Sequence, residues 1–155
     1  MNESMTMNLF YHLPNIENLA LNGKMSNFNL DSLVNLRYLK LKGTIYKDFN
    51  FDLLKNICNH LQTLEICIKN LDNEGIAKLL YGHHFPNLTD LTIYGNKMTR
   101  LEKKLFDGFP ILQLLFISTC KNLGIIDPDS FSNLKNLTYL DLTNNSRVIS
   151  PNSPI

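Results

Sequence analysis

Leu137-Thr138-Tyr139-Leu140-Asp141-Leu142-Thr143-Asn144-Asn145 carries leucine at its first, fourth and sixth places and asparagine at its ninth. The same apolar triplet, Leu-x-x-Leu-x-Leu with isoleucine allowed, recurs upstream. Its other copies are Ile16-Leu19-Leu21, Leu36-Leu39-Leu41, Leu61-Leu64-Ile66, Leu88-Leu91-Ile93 and Leu112-Leu115-Ile117. Successive copies start 20, 25, 27, 24 and 25 residues apart. A near-constant period of this length marks stacked structural repeats, each too small to bury its own apolar side. The second and third apolar residues of each triplet are two apart, so on an extended strand they share one face and their neighbours take the other. Stacking then pairs the strands in parallel and joins the inward faces into one core.

Composition agrees with a repeat. The 155 residues include 28 Leu and 21 Asn but alanine only at Ala20 and Ala77, a poor mixture for a helical bundle because asparagine prefers caps and turns. The ninth position holds Lys24, Thr44, Lys69, Asn96, Cys120 and Asn145. At Asn96 and Asn145 a side-chain amide can serve the backbone of the turn that leaves the strand, whereas Cys120 offers a weak donor and a looser turn. Six strands are expected, near 17–22, 37–42, 62–67, 89–94, 113–118 and 138–143, with Leu91 at the centre of the core. Between them, Phe51–Ile57 and Asn73–Leu80 have helical spacing, while the returns through Gly108-Phe109-Pro110 and Asp127-Pro128 are broken into single 3₁₀ or α turns.

The triplets and the ninth-position Asn or Cys resemble the leucine-rich repeat over about residues 16–148. The resemblance implies an α/β leucine-rich repeat solenoid of about six short parallel strands on the concave face, with helices or 3₁₀ turns on the convex face. Residues 1–155 are expected to form one array, a piece of a longer one. Phe10-x-x-Leu13-Pro14-Asn15 reads as the tail of an earlier return, and Asn145-Ser146-Arg147-Val148-Ile149 as the start of a later one. Uncapped ends of this kind invite self-association.

Catalytic chemistry has little to stand on. His12, His60, His83 and His84 show no zinc spacing, and Cys58, Cys67 and Cys120 are odd in number and unevenly placed. No catalytic residue, metal or cofactor is expected, and the chain is not expected to be an enzyme. With 15 Lys+Arg against 14 Asp+Glu, the net charge of +1 leaves no chain-wide footprint for nucleic acid or an anionic membrane. The longest apolar runs, such as Leu114-Leu115-Phe116-Ile117, are far too short to span a bilayer. Neither nucleic acid nor membrane is therefore an expected partner.

The remaining class is a protein–protein interaction module. Repeats four to six resemble the 24-to-25-residue repeats of Toll-like receptor ectodomains, which implies a ligand-binding segment of an extracellular or cell-surface receptor. Cys58-Asn59-His60-Leu61-Gln62-Thr63-Leu64-Glu65-Ile66, with Leu71-Asp72-Asn73-Glu74-Gly75-Ile76, is similar instead to the repeats of cytoplasmic F-box substrate adaptors. A purely architectural spacer is the third reading. Sequons for N-glycosylation begin at Asn2, Asn87, Asn136 and Asn144, slightly more than this composition yields by chance. Asn87 and Asn136 share one repeat position just before a strand, where a glycan would clear the sheet. A protein ligand is expected on the concave face. Most of that face is polar, but Leu114 and Phe116 alternate with the inward Leu115 and Ile117. With Tyr94 and Tyr139 on the adjacent strands they should form one patch flanked by Asp90 and Asp141, the makeup of an interface hot spot.

Overall fold

The computed structural model describes residues 10–145. The predicted stretches Asn145–Ile149 and the sequons at Asn2 and Asn144 fall wholly or partly outside those residues. Six parallel strands form the main sheet: β1 (Asn18–Met25), β2 (Tyr38–Ile45), β3 (Thr63–Ile68), β4 (Asp90–Tyr94), β6 (Leu114–Ser118) and β8 (Tyr139–Asp141). Two further strands, β5 (Arg100–Leu101) and β7 (Ile125–Ile126), pair with each other on the return side. They precede the turns expected through Gly108-Phe109-Pro110 and Asp127-Pro128, and the sequence reading missed them because two-residue strands leave no periodicity.

Register follows the triplets. Leu19, Leu39, Leu64, Leu91, Leu115 and Leu140 lie opposite one another across the sheet. Leu41, Ile66, Ile93 and Ile117 make a second row. From β2 to β6 every residue of both rows is fully buried, each contributing about 1.5–3 kcal/mol for removal from water. A one-residue slip on any strand would turn its row outward.

The return segments close the other side of the core. Asp72 caps α1 (Asn73–Leu80) by accepting a 3.0 Å bond from the Gly75 amide, and Ile76, Leu79 and Leu80 face inward at helical spacing. A 3₁₀ turn covers Phe51–Leu54, shorter than the helical spacing through Ile57 suggested. Where Gly and Pro break the later returns, aromatic stacking substitutes for helix. Phe85 lies parallel to Phe109 at 4.8 Å, Phe109 contacts Phe106, and Phe106 stacks on Phe131 at 5.9 Å. Gly108 is required here because a Cβ would collide with the His83 carbonyl.

Strands end differently along the array. Gly95, Thr119 and Asn144 occupy the eighth repeat position with φ of 66°, 58° and 58°, so the chain turns out of the sheet immediately. The equivalent Gly23 and Gly43 have φ of 136° and 129° and keep pairing, which carries β1 and β2 on to Met25 and Ile45. Both strands therefore outrun the boundaries expected at 22 and 42, whereas β8 is shorter than 138–143. The turn at Cys120 is not loosened by its weak thiol. Its amide donates to Asn145 Oδ1 at 2.9 Å, so the neighbouring repeat supplies what cysteine lacks.

Candidate functional site

The outer face of the sheet changes character between β4 and β6. On β2 and β3, Glu65 accepts from the Tyr38 hydroxyl at 2.7 Å and pairs with Lys40 Nζ at 2.6 Å. Burial alone would push the Glu65 carboxyl up, but the hydrogen bonds from Lys40 and Tyr38, together with the Lys40 charge, outweigh it and hold the carboxyl below its ordinary value. Lys40 is correspondingly raised, chiefly by its hydrogen bond to Glu65. This trio satisfies itself. As a half-exposed cluster it is worth about 1 kcal/mol or less to the fold.

On β6 and β8 the outer face is apolar. Leu114 lies between Asp90 and Tyr139 in the register, and Phe116 between Thr92 and Asp141. The Phe116 and Tyr139 rings meet at 5.2 Å with their planes tilted by 39°. Such a contact contributes about 0.5–1.5 kcal/mol beyond area burial. Tyr139 is nonetheless half exposed. The flanking acids are held by their own strands: Asp90 accepts from the Thr89 hydroxyl at 2.6 Å, and Asp141 from the Thr143 amide at 2.8 Å. That amide bond, with a further bond from the Thr143 side chain, lowers the Asp141 carboxyl.

Tyr94 does not join this patch. It sits opposite Ser118, two residues beyond the Thr92–Phe116 pair, and makes no ring contact among the described residues. Tyr139 stands at the same two-residue offset from Phe116 on the other side, opposite Leu114, and of the two tyrosines it is Tyr139 whose ring turns onto Phe116; the expected four-membered patch is thus reduced to Leu114, Phe116 and Tyr139. Tyr94 instead lines a separate cavity of about 450 Å³ where the strands β2 to β6 leave the sheet. That cavity was invisible in the sequence, since its residues come from four repeats and from different repeat positions.

Asn87 and Asn136 are exposed, and the structure gives their amides a task that sequon reading overlooked. Asn87 Nδ2 donates to the Asn59 carbonyl and Asn136 Nδ2 to the Pro110 carbonyl, each at 2.7 Å. Asn35, at the same repeat position, donates to the Pro14 carbonyl at 3.0 Å. Each bond ties a repeat to the one before it. The signal was present as the dipeptides Asn35-Leu36, Asn87-Leu88 and Asn136-Leu137. At the ninth position, Asn145 Nδ2 donates to the Ile117 and Leu142 carbonyls, as a turn-serving amide should. Burial raises the thiols of Cys58, Cys67 and Cys120 above their ordinary value, which disfavours the nucleophilic thiolate. Among the described residues, no cluster of His, Cys, Asp and Glu is arranged to hold a metal ion, and no helix is long and apolar enough to cross a membrane.

Residues 86–146 match the leucine-rich repeat family model. The solved structures that match include a TLR13–ssRNA13 complex, with 25% identity and a TM-score of 0.59 over 88% of this chain. The chain spans 22% of the length of that receptor chain. No curated protein sequence matches.

Proposed function

We propose that the chain is a leucine-rich repeat protein and a ligand-binding segment of an extracellular receptor array, engaging a protein through Leu114, Phe116 and Tyr139 on the outer face of β6 and β8; the family match over residues 86–146 and the likeness to the TLR13 structure support this reading. One observation carries the reading. Phe116 and Tyr139 meet at 5.2 Å on a face where the equivalent residues of β2 and β3 are consumed in an internal ion pair. A paired aromatic surface beside Leu114, rimmed by Asp90 and Asp141, offers the anchor-and-rim arrangement of an interface hot spot. Tyr94 lies at the margin of that footprint.

The test is affinity capture from the native tissue or secretome with the wild-type chain, Phe116→Ala and the outer-face control Asn22→Ala, followed by titration of the purified candidate partner. A partner retained by Asn22→Ala and lost by Phe116→Ala, with both variants folded, is the expected result. Equal capture by all three forms would remove the patch as the site. Secretion is supported by the exposed sequons at Asn87 and Asn136. Expression through a secretory pathway should give a mass shift that glycosidase reverses and that Asn87→Gln and Asn136→Gln remove; an unmodified secreted chain would count against it. Self-association is supported by Leu140, whose 40% exposure contrasts with the fully buried Leu115 at the same repeat position. Sedimentation velocity of the isolated chain should detect it, and a monodisperse monomer would argue against it.

A further inference from the structure

The net charge of +1 conceals an uneven distribution. Lys42 at the end of β2's outer face, Lys69 after β3, Lys97 after β4 and Lys121 after β6 all line the same 450 Å³ cavity, together with Tyr94 and Asn96. No carboxylate is among the lining residues, and none of the four ammonium groups has an ion-pair partner among the described residues. Of the lysines elsewhere, Lys40 pairs with Glu65, Lys78 with Glu74 and Lys103 with Asp129, whereas Lys24, Lys47, Lys55, Lys104 and Lys135 have no ion pair among the described residues but do not share one concavity. Four like charges converging on one concavity repel one another, and the low-dielectric wall concentrates their field.

Asn96 adds an independent observation. The residue is 5% exposed; its Oδ1 accepts from the Met98 amide at 2.9 Å, but its Nδ2 has no hydrogen-bond partner among the described residues. The equivalent Asn145 uses both ends of its amide. A buried donor left unsatisfied costs about 1–3 kcal/mol, so the wall of this cavity carries an internal polar strain as well as like charge. The volume falls within the range of small-molecule sites, roughly 300–1,000 Å³.

We propose that this cavity is a binding site for a compact, soluble polyphosphate-type anion, held by Lys42, Lys69, Lys97 and Lys121. Four ammonium groups match an anion of several charges better than a single phosphate, and lysine suits such a ligand because it acts as a mobile point charge. The site is distinct from the Phe116–Tyr139 patch, so either can fail without the other.

Calorimetric titration of the full chain with sodium tripolyphosphate, at constant ionic strength, tests the proposal. Saturable one-to-one binding is expected, weakening as salt is raised. The double reversal Lys69→Glu with Lys97→Glu should weaken it by about tenfold or more, while Lys47→Glu with Lys135→Glu, which alters the net charge equally away from the cavity, should leave it unchanged. Asn96→Asp keeps the acceptor for Met98 and replaces the donor by a carboxylate; in the folded variant, affinity should fall. Phosphatidylcholine vesicles doped with a phosphoinositide separate a free ligand from a lipid headgroup. Absence of saturable binding, equal loss in both double reversals, or capture by vesicles without binding of tripolyphosphate would overturn the proposal.

Discussion

The first three repeats and the last three share a core register but leave the sheet by different means. In the later half a left-handed residue at Gly95, Thr119 or Asn144 turns the chain out after the strand, and buried or half-buried side chains at Asn96, Cys120 and Asn145 occupy the next position. In the earlier half that position holds Lys24, Thr44 and Lys69, and β1 and β2 continue pairing for eight residues each. The repeats with left-handed turns are those the family model covers, 86–146. A leucine triplet is therefore enough to place a strand, but the eighth and ninth residues decide where it stops and how its edge is presented. The lysine-lined cavity beside Tyr94 and Asn96 lies where the tight exits of the later half begin.

Six substitutions would break or sharpen this contrast. The largest effect belongs to the shared core: Leu91→Ala should cost about 2–5 kcal/mol in urea unfolding, because a fully buried side chain leaves a cavity. Leu140→Ala, at the same repeat position but 40% exposed, should cost less than half as much, and equal losses would refute the register at β8.

Next comes the early-half exit. A Cβ on Gly43 would run into the Gly23 carbonyl, and φ of 129° disfavours any side chain there, so Gly43→Ala should destabilise by about 1–3 kcal/mol. Gly23→Ala meets the same backbone strain without the collision and should cost visibly less. If the two melt alike, close approach of adjacent repeats is not what the glycine serves.

In the later half, Thr119 is a β-branched residue in the left-handed region. Thr119→Gly should stabilise the protein by about 0.5–1 kcal/mol, the relieved strain exceeding the added freedom of the unfolded chain. A loss of stability would mean that the threonine side chain, and not backbone geometry, holds the turn.

The smallest effect is electrostatic. Because the Glu65 carboxyl titrates lower in the folded chain than in the unfolded one, its contribution is present above the ordinary carboxylate range and is lost as pH falls through the lowered value. Glu65→Gln should lower stability at neutral pH by about 1 kcal/mol or less and leave melts below the lowered carboxyl value nearly unchanged, which flattens the acid limb.

The register was legible from the triplets alone because a two-residue alternation has one solution once six copies share it. Leu114 and Phe116 stood out for the same reason, as apolar residues on the polar side of that alternation. Tyr94 was misplaced because it and Tyr139 stand at the same two-residue offset from Phe116, and the pattern does not say which ring turns toward it. The cavity escaped entirely: Lys42, Lys69, Lys97 and Lys121 occupy the seventh, ninth and tenth repeat positions, so no column in the alignment contains them all. Composition concealed it further, since charges that cancel over the chain need not cancel locally. Asn87 and Asn136 were singled out for a covalent modification, whereas their bonds to Asn59 and Pro110 become apparent only when consecutive repeats are in place.

Those asparagine bonds also bear on how the polypeptide can assemble as it is synthesised. Asn35 reaches back 21 residues, Asn136 26 and Asn87 28, each to the immediately preceding repeat. None waits for a distant part of the chain. Each new repeat closes a loop of similar modest length onto a finished surface, so the entropic cost of closure stays nearly constant as the array grows. Assembly can then advance from the N-terminus with translation, each completed turn acting as the template for the next.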